Sequence, residues 1–271
     1  MRSQNNNALM EPMCIPLWQE EDLPKLRDAG KCFSAQMHII KNLIENKTTM
    51  TLLEISRMIG KNIRDAGFVP TFKNYKVANN TFPEDLCISV NKELVHGIGK
   101  NVRLEDGDVV SFDFGVTNGN AIVDAARTFI FGTPKIQEHI KLIQTTRLCL
   151  DNAINSIKLG KRVGEIGYSI YKTALSKGFK TIEVYGGHGI APNKVHSSPF
   201  IANRAEKDTG PHFMPGMLLA IEPLLVPYNS STRTSVKNDN WSVITDEIGA
   251  HFEDTVYINK NGNVEVLTAD I

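Results

Sequence analysis

Val109-Val110-Ser111-Phe112-Asp113-Phe114-Gly115-Val116-Thr117-Asn118-Gly119-Asn120-Ala121-Ile122-Val123-Asp124-Ala125-Ala126 is the stretch on which the reading of this chain turns. Asn-Gly between two apolar runs is the strongest short hairpin signal, because both central positions of the favoured turn need φ > 0. With Asn118-Gly119 as the two-residue loop, Asp113 falls directly opposite Asp124 on one face. Like charges so placed destabilise a sheet. Two carboxylates on strands otherwise built from Val, Phe and Ile call for a compensating cation, and a bound metal is the simplest. The plainer alternative is a pair of solvated aspartates at a hairpin edge, since a bulge or a longer loop would undo the pairing. The rest of the chain decides between them.

On the N-terminal side, residues 1–20 read as a loose tail and residues 21–271 as one domain. Leu26, Phe33, Met37, Ile40 and Ile44 recur at helical spacing and share a face. Thr51-Leu52-Leu53-Glu54 is a capping box that opens a second helix, which stops at Gly67. Strands follow at about 86–91 and in the hairpin. The order then recurs: a helix over about 135–158, another from Val163 to Lys177 ending at Gly178, and strands near 180–185, 217–226 and 252–258. Two helices then strands, twice over, predict an α+β domain of pseudo-symmetric halves around antiparallel sheet.

Three further segments supply metal-ligand chemistry. Gly186-Gly187-His188-Gly189-Ile190 sets a histidine in a Gly-rich turn, where backbone or substrate can approach closely; alone, such a histidine is more often structural. Leu218-Leu219-Ala220-Ile221-Glu222-Pro223-Leu224 buries a carboxylate in an apolar run, which costs several kcal/mol unless a cation or a basic partner accompanies it. A buried Glu–Arg pair is the alternative there. Ala250-His251-Phe252-Glu253-Asp254 centres Glu253 on a strand, where a polar-face residue is the simpler reading. Taken together, two Asp, two Glu and one His suffice for two divalent ions, and carboxylates with one imidazole suit Mn, Fe, Co or Zn. Two ions about 3.5–4 Å apart commonly activate a water for hydrolysis. His96 and His196 are further candidates; His38, His139 and His212 lack a carboxylate-rich setting.

Composition is that of an ordinary globular protein: 271 residues, 41% apolar and 22% charged, with 30 basic and 30 acidic side chains. The balanced charge gives no reason to expect a nucleic-acid or membrane-surface partner. No apolar run reaches the roughly 20 residues of a membrane span. Cys14, Cys32, Cys87 and Cys149 are scattered, without C-x-x-C spacing, and read as reduced thiols.

The motifs resemble those of the type I methionine aminopeptidases from about Gln19 to Val266. They are Phe82-Pro83-Glu84-Asp85-Leu86-Cys87-Ile88-Ser89-Val90-Asn91, Val95-His96-Gly97-Ile98, Leu104-Glu105-Asp106-Gly107-Asp108, Gly187-His188-Gly189-Ile190, Pro215-Gly216-Met217, Ile221-Glu222-Pro223 and Asn240-Trp241-Ser242. The resemblance implies a pita-bread fold. It also implies removal of N-terminal methionine from nascent polypeptides, with a small second residue preferred, through a hydroxide held between two divalent metals (Co, Mn, Fe or Zn). By resemblance, Asp113 chelates one metal, Asp124 and Glu253 bridge both, and His188 and Glu222 hold the other. Glu222 is then the proton shuttle, His96 and His196 bind the substrate amide and oxyanion, and Cys87, Phe82 and Trp241 line the methionine pocket. The expected setting is a cytoplasmic monomer that meets nascent N-termini, with room for a transient ribosome contact and no membrane or specific nucleic-acid partner.

Several positions depart from the family pattern: Ala125-Ala126 in place of Thr-Ser, Ala191 for Gly, Val195 for an aromatic, Asn79 for an aromatic, a His188–His196 gap longer by one residue, and His251 and Asp254 in place of Gln and His. Two competing readings are an X-Pro aminopeptidase or prolidase-like hydrolase, which usually carries a further N-terminal domain, and a non-catalytic binding protein on the same fold. Retention of all five ligands speaks against the latter.

Overall fold

The helical spacing of Leu26, Phe33, Met37, Ile40 and Ile44 materialises as α1 (Leu23–Glu45), with all five side chains buried. This is a computed structural model, and it describes residues 14–269. α2 (Leu52–Asp65) starts on the expected capping box: the Glu54 amide donates to Thr51 Oγ1 at 3.3 Å, and the Thr51 amide donates to Glu54 Oε2 at 2.7 Å. Both helices belong to a first half whose antiparallel sheet joins Val69–Pro70, Val109–Asn118, Cys87–Val90 and Ala121–Ile130. α3 (Gln137–Asn155) and α4 (Gly164–Ser176) open the second half. Its five-stranded antiparallel sheet runs in the order Lys194–Ala202, Gly186–Ala191, Leu218–Ile221, Asp254–Ile258, Val264–Val266.

Each half has its own apolar core, and the Leu218–Ile221 strand serves both. Leu218 and Ala220 pack into the first core, Leu219 and Ile221 into the second. Strand alternation sends successive side chains to opposite faces, so a strand buried on both faces reads as an unbroken apolar run. The halves are stitched together where Ala126 and Glu253 exchange backbone hydrogen bonds of 3.0 and 3.2 Å. Beside that bridge, Thr255 Oγ1 accepts from the Asp124 amide at 2.8 Å and donates to its carbonyl at 2.7 Å.

Several expectations need correction. The hairpin loop is Gly119-Asn120, with Asn118 still paired to Ala121. Gly119 takes the positive φ of +63°, as the first position of a tight hairpin turn demands. The register therefore moves by two: Asp113 faces Ala126 and Asp124 faces Gly115. An even shift preserves the face, so the two carboxylates remain diagonal neighbours on one side. Gly186–Ala191 is a strand and not a turn. The strand expected over 180–185 is confined to Phe179–Thr181. Strands expected to be continuous are broken at Glu222-Pro223 and at Phe252-Glu253, between Leu218–Ile221 and Leu224–Pro227 and between Ala250–His251 and Asp254–Ile258. Pro223 has no amide to give a ladder, and Glu253 turns its backbone to Ala126 instead. Residues 14–20 are no loose tail: Trp18 is 2% exposed, and its indole donates to the Ile190 carbonyl at 2.7 Å. Residues 1–13 lie outside the described residues. The four cysteines are free, and among the described residues no helix is long and apolar enough to cross a membrane.

Candidate metal centre and its cavity

The seam between the halves is where the acidic side chains gather. Asp113 and Asp124 come from the hairpin, Glu253 from the bridging residue, and Glu222 from the break after Leu218–Ile221. Ligand atoms of Asp113, Asp124 and Glu253 lie within 4.8 Å of one another, as do those of Asp124, His188 and His196. The two strand breaks occur side by side, and local disruption of a ladder re-aims side chains. Here it delivers Glu222 and Glu253 to the site.

His188 reaches the cluster because its neighbours have no side chains. A Cβ on Gly187 would lie 2.3 Å from the Ala220 carbonyl oxygen, and one on Gly189 would lie 2.0 Å from that of Ser198. His188 Nδ1 sits 3.1 Å from the Gly189 carbonyl oxygen. That contact places the proton on Nδ1 and leaves Nε2 free, 3.8 Å from Glu253 Oε1 and 3.9 Å from Asp124 Oδ2. Burial holds the imidazole below its usual pKa, keeping it neutral as a ligand must be.

Asp113 Oδ1, Asp124 Oδ1 and Glu253 Oε1 are buried without any hydrogen-bond partner. Burial, reinforced by Glu222, pushes Asp124 up to about 8. Asp113 and Glu253 are raised well above the carboxylate range, first by burial and then by the neighbouring acids. Orphaned, mutually repelling carboxylates with one aimed imidazole are the donor set that divalent cations satisfy.

A cavity of about 130 Å³ opens beside this cluster. Phe82, Cys87 and Trp241 line it together with His96, His196, Asp113 and Glu222, so every residue expected for the pocket is brought to one space. Phe82 and Trp241 meet edge-to-face at 5.2 Å. His96 carries a φ of +57°, uncommon outside glycine, of the kind that concentrates at functional sites. Tyr75, which no sequence motif singles out, hydrogen-bonds His196 Nδ1 through its hydroxyl at 2.7 Å. His251 was also missed as a site residue; its ring lies 3.3 Å from Glu222 Oε1.

A two-half α+β fold with buried carboxylates and imidazoles at its seam defines a metallopeptidase of pita-bread architecture, and divalent metal ions are its cofactors. Residues 24–260 match the model of metallopeptidase family M24. A methionine aminopeptidase of Aquifex aeolicus is 39% identical over 264 residues, covering 93% of this chain and 98% of its own. One from Mycoplasma capricolum is 34% identical over 256 residues, covering 94% and 98%. The solved methionine aminopeptidase of Thermotoga maritima superposes with a TM-score of 0.86 at 31% identity, covering 95% of this chain and all of that one. A prolidase from Pyrococcus furiosus, at 20% identity and a TM-score of 0.71 over 94% of this chain and 66% of its own, shares the fold. The chain belongs to metallopeptidase family M24 and, within it, to the methionine aminopeptidases.

Proposed function

We propose that this metal-dependent aminopeptidase removes N-terminal methionine at the seam, with Asp113, Asp124, His188, Glu222 and Glu253 holding two divalent ions. Asp113 would hold one ion and His188 and Glu222 the other, with Asp124 and Glu253 serving both. Such ions, when bound, polarise a carbonyl and make water a nucleophile at neutral pH. Glu222, at the wall shared by the cluster and the cavity, takes the proton of the attacking water and returns it to the leaving amine. His196 donates to the oxygen of the scissile carbonyl, stabilising the charge that develops there, and His96 hydrogen-bonds the substrate amide. Phe82, Cys87 and Trp241 receive the methionine side chain; aromatic rings suit a thioether.

The observation that carries this reading is the shared wall: an apolar pocket the size of one side chain ends on Asp113 and Glu222. Residues 21–271 act as one catalytic domain, with preference for a small second residue. The protein works as a cytoplasmic monomer on nascent chains, touching the ribosome only transiently. The test is peptide cleavage by the Mn²⁺- or Co²⁺-loaded protein. Methionine released from Met-Ala-Ser, abolished by chelator and by Asp113→Ala, is the expected result. Cleavage of Xaa-Pro peptides alone would establish the prolidase-like activity instead, and metal uptake without any cleavage would mark a binding protein.

A further inference from the structure

We propose that His251 is a sixth ligand of the metal centre, its Nε2 joining Glu222 and Glu253 on one ion. The inference rests on the reading that the seam holds divalent ions, and it adds a residue to the set that reading uses.

His251 is held from both sides of its backbone. Ala250–His251 pairs with Leu224–Leu225, while the His251 amide donates to Thr128 Oγ1 at 3.0 Å and its carbonyl accepts from the same hydroxyl. Thr128 is itself tied to Ser111 Oγ at 2.7 Å, so the clamp extends into the hairpin. His251 is fully buried. Its Nε2 stands 3.3 Å from Glu222 Oε1 and 3.7 Å from Glu253 Oε2, close to both carboxylates but without a well-aligned hydrogen bond to either.

A buried polar atom without a well-formed hydrogen bond is unfavourable, and here Nε2 stands between two carboxylates, 3.3 and 3.7 Å away. Ligand atoms of Glu222, His251 and Glu253 all lie within 4.8 Å of one another. A cation among them satisfies the ring nitrogen and both acids at once. Glu253 is common to this group and to the Asp113–Asp124–Glu253 group, so the two groups describe adjoining positions of one centre. A second imidazole in an oxygen-rich site also shifts its preference from Mn²⁺ towards Co²⁺ and Zn²⁺.

X-ray absorption of the Co²⁺-loaded full chain counts imidazoles directly. His251→Gln keeps a side chain of similar reach, and at equal metal content it should show one imidazole fewer per pair of ions. Its affinity for Co²⁺, read by competitive titration, should fall at least about tenfold. Unchanged scattering and affinity would overturn the assignment. The His196→Ala protein gives an answer without touching residue 251: two imidazoles per pair of ions support the proposal, and one overturns it. Failure of the underlying reading looks different, because the parent protein itself would then take up no metal.

Discussion

Glu253 and Asp254 are consecutive buried acids with opposite fates. Asp254 accepts from Arg127 Nη2 and from Thr268 Oγ1, both at 2.7 Å, so its charge is matched within the protein. Glu253 faces Asp113, Asp124 and Glu222, and its carboxylate has the rings of His188 and His251 at 3.8 and 3.7 Å. That contrast separates a carboxylate matched by the protein from one left open to a cation more sharply than burial does. His196 differs again. It lines the cavity with Nδ1 engaged by Tyr75, which leaves Nε2 outside that contact. We expect His196→Ala to lower kcat about a hundredfold or more, the usual cost of losing an oxyanion donor, with metal content by elemental analysis unchanged. Loss of metal in that variant would make His196 a ligand. Asp113, Asp124, His188, Glu222 and Glu253 stood out as candidates because acids and a lone histidine inside apolar or Gly-rich runs are anomalies. Tyr75 and His251 did not. Tyr75 meets His196 across 121 residues, and His251 owes its place to a strand break that no local pattern announces.

Among the elements, the hairpin shows how a wrong register can still bring the same two carboxylates together. Its loop lies one residue later than the Asn-Gly signal suggested, yet the two-residue shift leaves Asp113 and Asp124 on one face. Helix limits were legible from capping and spacing, Gly67 and Gly178 both taking positive φ where α2 and α4 end. The breaks at Glu222-Pro223 and Phe252-Glu253 were not, because each depends on the strand lying alongside. What holds that region is Arg127, on the hairpin's second strand. Its guanidinium donates to the carbonyls of Ala126, Glu253 and Thr268 as well as to Asp254. Removing one partner of a buried ion pair strands the other, at about 3–5 kcal/mol. Arg127→Met should lose stability on that scale in urea denaturation. A loss below about 1 kcal/mol would mean that this network is not what joins the halves.

At the scale of the whole molecule, the fold places its uncompensated charge where its two halves meet, so metal binding and stability are linked. Asp124 ordinarily titrates at 3.8, and in the metal-free protein it is pushed up to about 8. Between those values the folded chain keeps a proton that the unfolded chain has released. Stability tied to such a group is fully present below 3.8 and lost as pH rises through about 8. Asp113 and Glu253, raised well above their ordinary values, act in the same direction. Bound cations replace those protons, leave the carboxylates ionised as they are in the unfolded chain, and remove the slope. Thermal unfolding of the chelated and the Mn²⁺-loaded protein across this window should therefore diverge. The metal-free Tm should fall as pH rises, the loaded Tm should hold, and the gap should be widest at the alkaline end. A gap that stays constant across this window would show that the acids at the seam are already ionised without metal.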